Sequence, residues 1–132
     1  MAGLLIRHWK NMLEQFKALC ELVSGISAYP GRLQDGAALP AVSFFMVSRI
    51  TTRNLEDVVD SVTENWQVRV SATRQMEARE IATRFYHLDG KKTAIYQRIV
   101  IDSDSDEPAA EGAQVRSVLL NISATLRSVS DD

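Results

Sequence analysis

Apolar and polar residues alternate along positions 62–73, the first part of the unit around which the chain is organised. Because side chains alternate across an extended chain, this pattern predicts a strand with one buried face and one solvent face. The apolar positions are Val62, Trp66, Val68, Val70 and Ala72. Glu64 interrupts this apolar face near its beginning, where we expect the strand still to be exposed.

The period of the pattern changes after residue 73. Apolar residues then recur at helical spacing, at Ala78, Ile81, Ala82, Phe85 and Leu88. This spacing predicts an amphipathic helix that lies against the sheet. The Asp89-Gly90 pair predicts the end of the helix, because glycine adopts the left-handed conformation there at low cost.

A second amphipathic helix is predicted at residues 4–23. Its apolar stripe consists of Leu5, Trp9, Met12, Leu13, Phe16, Leu19, Cys20 and Val23. The polar side of this helix carries charges of both signs, whereas a helix lying on a membrane surface has a strongly cationic polar face. The pattern therefore favours packing against a sheet.

The remaining segments predict more strands and the loops between them. Strands are expected at 41–51, 93–102 and 118–126, with a short edge strand at 26–29. The polar segment 52–61 reads as the loop of a long hairpin. We expect residues 103–112 to form an acidic loop and residues 128–132 a flexible tail.

These elements together predict one α+β domain spanning residues 1–132. Its mostly antiparallel sheet would have four to five strands, and both helices would pack on one face. The other face would then meet either water or a partner protein. The residues expected to line that face are Phe45, Val47, Arg49, Gln67, Arg69, Asn121 and Thr125.

The composition of the chain argues against several classes of function. The chain has 132 residues, is 45% hydrophobic and carries a net charge of −2, so its overall charge gives no reason to expect nucleic-acid binding. Cys20 is the single cysteine, which excludes an internal disulfide and fits a cytosolic, buried thiol. No signal sequence or membrane-spanning stretch is evident, so we expect no membrane partner.

The spacing of potentially reactive residues along the sequence matches no catalytic, metal-binding or phosphate-binding motif. One cysteine and two distant histidines do not form a zinc site or a nucleophile–base motif, and no glycine-rich phosphate loop is present. Residues 102–107 imitate the start of a calcium loop, but Glu107 replaces the required glycine and Ala113 replaces the final glutamate. Weak divalent-cation binding and a simple hydrated linker both remain open for this run. We expect no enzymatic activity, no cofactor and no metal.

The order and spacing of several segments resemble the tail-terminator, or tail-completion, proteins of long-tailed bacteriophages. The resemblance extends from about Leu4 to Leu126. The segments that carry it are the N-terminal helix, Tyr29-Pro30-Gly31, Leu39-Pro40-Ala41-Val42-Ser43-Phe44, Val68-Arg69-Val70-Ser71-Ala72, Ala78 to Ala82 and the last alternating strand. No segment is a signature alone, and the acidic residues 103–112 have no counterpart in the pattern.

The resemblance implies a structural protein of the virion neck, assembled in the host cytoplasm. Family members form a six-fold ring on the end of the tail tube, stop tube polymerisation and present a surface to the head connector. The implied partners are further copies of the chain, the tail-tube protein and the connector protein. We expect the outer sheet face and the 51–61 hairpin loop to make these contacts, with Arg49, Arg53 and Arg69 as candidates for salt bridges.

Three alternatives stay open from the sequence alone. The chain could be a head-completion or connector protein of the same apparatus. It could instead be a small ligand-binding or enzymatic α+β domain with a pocket between sheet and helices. A nucleic-acid module is weaker, because the basic residues Arg49, Arg69, Arg74, Lys91 and Lys92 lack interleaved exposed aromatics.

Overall fold

The computed structural model describes residues 2–34, 36–57 and 59–127, with side chains from Met12 onward except Asp60. Helix α1 (Ala2–Ser24) is followed by strands β1 (Ala28–Pro30), β2 (Ala41–Arg53) and β3 (Val59–Ala72). Helix α2 (Gln75–Arg84) continues into a 3-10 turn (Phe85–Leu88), and β4 (Tyr96–Glu107) and β5 (Arg116–Leu126) complete the chain. The expected side chains of Leu5 and Trp9 and the expected tail 128–132 lie outside the described residues.

The five strands form one sheet in the order β1-β2-β3-β5-β4. β1 pairs in parallel with β2 at the sheet edge, and the other three pairings are antiparallel. Trp66 of β3 lies opposite Met46 of β2 and Ile122 of β5, so the apolar positions of the central strands share one face. The alternation predicted for β3 and β5 is therefore confirmed.

Both helices pack on that apolar face. Phe16 of α1 stacks on Trp66 with ring centroids 4.1 Å apart, and α2 buries Ala78, Ile81 and Ala82 in the same core. Arg84 of α2 donates a hydrogen bond to the Ser24 carbonyl oxygen at the end of α1, which joins the two helices. The predicted fold class is confirmed: an α+β fold with a mostly antiparallel sheet. Cys20 is buried in the core as expected, and burial raises the pKa of its thiol.

One charged side chain lies inside the core. Glu64 has no exposed surface, contrary to the expectation that β3 would still be exposed at this position. Its Oε1 accepts hydrogen bonds from Tyr96 Oη (2.9 Å) and Trp66 Nε1 (3.2 Å), and its Oε2 accepts one from Arg49 Nη2 (3.2 Å). Burial and the nearby Glu64 carboxylate raise the pKa of Tyr96, so the phenol stays protonated and continues to donate.

The position of Arg49 corrects a sequence prediction. Arg49 was expected on the outer face of the sheet together with Phe45 and Val47. A register shift between Met46 and Ser48 inserts one extra residue in β2, and this bulge reverses the alternation beyond it. Arg49 therefore lies opposite Glu64 on the helix-covered face.

The acidic segment is also different from the prediction. Residues 103–107 are not part of a loop, because β4 extends through them to Glu107 and pairs with β5 along its length. A second register shift, between Ile101 and Ser103, moves Asp104 and Asp106 to the helix-covered face and Glu107 to the outer face. The actual loop between β4 and β5 comprises residues 108–115.

We predict that the Glu64 network is a major determinant of stability. Glu64→Ala removes the carboxylate to which the Arg49 guanidinium and the Tyr96 hydroxyl donate and opens a cavity, so we expect a loss of about 3–5 kcal/mol. Tyr96→Phe removes one donor and should cost about 1–3 kcal/mol. Urea unfolding followed by tryptophan fluorescence measures both values. Glu107→Ala, which removes a carboxylate that is one-third exposed, is the control and should cost about 1 kcal/mol or less. Equal losses for Glu64→Ala and Glu107→Ala would contradict the prediction.

Candidate interaction surface

The sheet face opposite the helices is lined by hydroxyl and amide side chains that bond to one another across the strands. Asn65 Nδ2 donates to Ser48 Oγ (3.0 Å), and Ser123 Oγ donates to Asn65 Oδ1 (2.9 Å) and also contacts the Asp102 carboxylate. Asn121 Nδ2 donates to Ser103 Oγ at 2.9 Å. These contacts cross β2, β3, β5 and β4, so much of the face has its hydrogen-bonding groups satisfied internally.

The structure brings five of the predicted surface residues together on this outer face. Phe45 and Gln67 are direct partners on β2 and β3, and Asn121 lies opposite Gln67 on β5. Thr125 Oγ1 lies 3.0 Å from Thr63 Oγ1. Arg69 reaches across β5 and makes a bidentate pair with Glu107 of β4, at 3.0 and 2.9 Å.

Three predicted residues lie elsewhere. Val47 is exposed at the bulge of β2. Arg49 is on the inner face, bonded to Glu64. Arg53 lies near the end of β2 on the exposed hairpin, where it donates to the Asp57 carbonyl oxygen at 3.2 Å.

The hairpin of β2 and β3 extends beyond the rest of the sheet. β5 pairs with β3 only up to Thr63, and β1 pairs with β2 only at residues 42–44. Residues 50–57 and 59–62 therefore form a two-stranded projection, which we call the hairpin arm. No third strand lies on either side of it within the described residues. An isolated two-stranded hairpin is marginally stable in water.

The hairpin arm exposes large apolar side chains. Leu55 at its tip is fully exposed, and Ile50 and Val59 are each about half exposed, at 55% and 48%. Val47 at the base of the arm is 57% exposed. Open strand edges combined with clustered apolar side chains are typical of surfaces that contact another protein. The sequence analysis placed the hairpin loop at an interface but did not single out Ile50, Leu55 or Val59, because isolated apolar residues in a polar segment are common.

Three of the four acidic residues of β4, Asp104, Asp106 and Glu107, form ion pairs. Arg79 of α2 bonds to both Asp104 and Asp106, and the Tyr86 hydroxyl donates to Asp104. These contacts fasten α2 to the edge of the sheet. The hydrogen bonds from Tyr86 and Arg79 lower the pKa of Asp104, while the bond to Asp104 raises the pKa of Tyr86. The described residues contain no group of three or more potential metal ligands.

A cleft of about 430 Å³ opens on the outer face next to β1. Its floor is formed by two cross-strand pairs, Ser43 with Arg69 and Phe45 with Gln67. The chain after β1 forms a wall, because the Gly31 amide donates to the Phe44 carbonyl oxygen (2.8 Å) and directs Arg32 over the cleft. Arg32 was not singled out from the sequence, since its position depends on the path of this loop.

Comparisons with protein-family models and with curated protein sequences give no match for the chain. In the part of the chain that the structure describes, no helix is long and apolar enough to cross a membrane.

We predict that the Asp104 cluster makes stability sensitive to acid. The lowered pKa of Asp104 means that its contribution is fully present above its unfolded pKa, near 4, and is lost as the pH falls through the folded value. Asp104→Asn should reduce the free energy of unfolding by about 1 kcal/mol at neutral pH, and the difference from wild type should shrink on acidification. Urea unfolding from pH 7 down to pH 2 measures this difference. Glu77→Gln removes an acidic side chain outside the cluster as a control, and a pH-independent difference for Asp104→Asn would refute the assignment.

Proposed function

We propose that this chain is a structural protein of a long-tailed bacteriophage that forms a ring, a hexamer by family resemblance, on the end of the tail tube. The ring stops tube polymerisation and joins the tail to the head connector. Its partners are further copies of itself, the tail-tube protein and the connector protein, and it assembles in the host cytoplasm before residing in the virion neck. The resemblance in the order of elements suggests this role.

The hairpin arm is the observation that carries the proposal. It projects beyond the sheet, has open edges and exposes Ile50, Leu55 and Val59. Burying a large apolar side chain is worth roughly 1.5–3 kcal/mol, so an arm of this kind gains stability when it docks on another protein. A protein whose task is to cap a polymer needs such a projecting contact toward the end subunit of the tube.

A ring also needs an interface of a particular kind. In a ring of three or more copies, each copy must use two different surface patches, one on each side of the subunit. The sheet offers two different edges for this purpose, β1 with β2 at one side and β4 at the other. The outer face with Phe45, Gln67 and Arg69 lies between them and supports contacts at either side.

The proposal is tested first by electron microscopy of lysates from the parent phage or prophage with this gene disabled. Tails of uncontrolled length, separate from DNA-filled heads, are the expected result, because nothing would stop tube growth. Normal-length tails beside emptied heads would instead assign the chain to head completion. Intact infectious virions would refute a structural role.

A substitution at the arm separates docking from folding. Leu55→Asp should leave the free energy of unfolding within about 0.5 kcal/mol of wild type, because the side chain is fully exposed. The same variant should fail to complement the gene-disabled phage, since the charge would oppose docking of the arm. Met76→Asp is the matched control, because Met76 is also highly exposed but lies on α2. Full complementation by Leu55→Asp would show that docking of the hairpin arm is not needed for the proposed function.

A further inference from the structure

The two edges of the sheet differ in charge. Strand β2 carries Arg49 and Arg53 and no acidic residue, whereas β4 contains four acidic residues and a single arginine. β4 is an edge strand, and β2 is separated from the opposite edge only by the three residues of β1. Most of these charges are paired within the chain, because Arg49 binds Glu64, Arg79 binds Asp104 and Asp106, and Arg69 binds Glu107. The charges available to a second copy are therefore those of the loops beside the two edges.

Among the described residues, the cleft beside β1 has an unbalanced positive charge. Two guanidinium groups line it, those of Arg32 and Arg69. Arg69 is neutralised by its bidentate pair with Glu107. Arg32 is exposed and has no ion-pair partner within the ranges that the structure describes. The cleft therefore suits one carboxylate, and the partly exposed ring of Phe45 offers an apolar surface beside it.

The opposite side of the molecule presents a matching group. The loop 108–115 follows β4 and contains Glu111, which is exposed and has no ion-pair partner among the described residues. Val115, at the end of the same loop, is 44% exposed, as is Phe45. The loop thus combines one free carboxylate with one exposed apolar side chain.

The cleft and the loop lie at the same end of the sheet. Glu107 pairs with Ser117, Ser117 with Ser71, and Ser71 with Ala41, which is two residues from the cleft residue Ser43. Strands are spaced about 4.8 Å apart, so three intervals place the β2 and β4 ends roughly 14 Å apart within one chain. Two copies placed side by side bring the cleft of one to the level of the loop of the next.

We propose that the cleft of one copy receives the 108–115 loop of a second copy, with Arg32 paired to Glu111 and Val115 packed on Phe45. This contact is heterologous and repeats around a ring, so it rests on the proposed function and specifies its subunit interface. The partner is a second copy of this chain, and the hairpin arm at the other end of the sheet stays available for the tube.

Charge reversal tests the pairing. Arg32→Glu and Glu111→Arg each place like charges at the contact, and each should weaken self-association roughly tenfold or more in sedimentation velocity of the purified chain. A one-to-one mixture of the two variants should restore association, because alternating copies then present opposite charges at every contact. Lys92→Glu and Glu14→Arg make the same charge changes at exposed sites elsewhere and should associate like wild type. Circular dichroism of each variant verifies that the fold is retained.

Disulfide trapping gives a second readout. A chain with Arg32→Cys and Glu111→Cys should form a ladder of covalent oligomers on oxidation, whereas Lys92→Cys with Glu14→Cys should not. Association that is unaffected by Arg32→Glu, absence of the ladder, or a wild-type chain that stays monomeric would each overturn this interface. The electron microscopy of tails from the gene-disabled phage does not depend on which sheet edges of two copies meet. Overlong tails together with unaffected Arg32→Glu association would reject the interface alone, and intact virions would reject the ring function.

Discussion

The rest of the structure depends on the buried carboxylate of Glu64. Removing a charged group from water is costly unless hydrogen-bond donors replace the lost solvent. Here the donors come from three strands: Arg49 on β2, Trp66 on β3 and Tyr96 on β4. The same Arg49 approaches Met12 Sδ of α1 at 3.7 Å, so one group relates the sheet to the helix that covers it. The bulge in β2 between Met46 and Ser48 turns Arg49 toward this carboxylate.

Sequence periodicity predicted the fold because burial follows a regular period in most of these elements. The alternation around Val68 and the helical spacing around Ile81 identified the right faces, and both are buried. Periodicity failed where one extra residue enters a strand. Counting by twos from Phe44 places Arg49 outside, and no glycine in 41–53 marks the bulge. Glu64 was expected to be exposed because it lies near the start of the predicted strand, and the period of the pattern does not reveal that Arg49 faces it.

Strand β4 shows why the composition of a short segment can predict the wrong secondary structure. Residues 102–107 have the charge density of a solvated loop, yet their alternation of serine and aspartate has the period of a strand. The cation that neutralises Asp104 is Arg79, 25 positions earlier in the chain, and only the folded arrangement brings the two together. The cleft has the same origin, because the path of the loop after β1 brings Arg32 to the cleft that Phe45 also lines. Sequence alternation placed Phe45, Gln67, Arg69, Asn121 and Thr125 on one sheet face, as the register shows, but did not single out Arg32 or Glu111.

The Arg49–Glu64 pair also lies where the hairpin arm leaves the wider sheet. The arm is held only at its base, where it joins the core, and its exposed tip carries Leu55. A force on the tip is expected to bend the hairpin arm more than the rest of the sheet, because two strands resist bending less than five strands do. A subunit built in this way can yield to an irregular surface at its tip while the position of its body changes little.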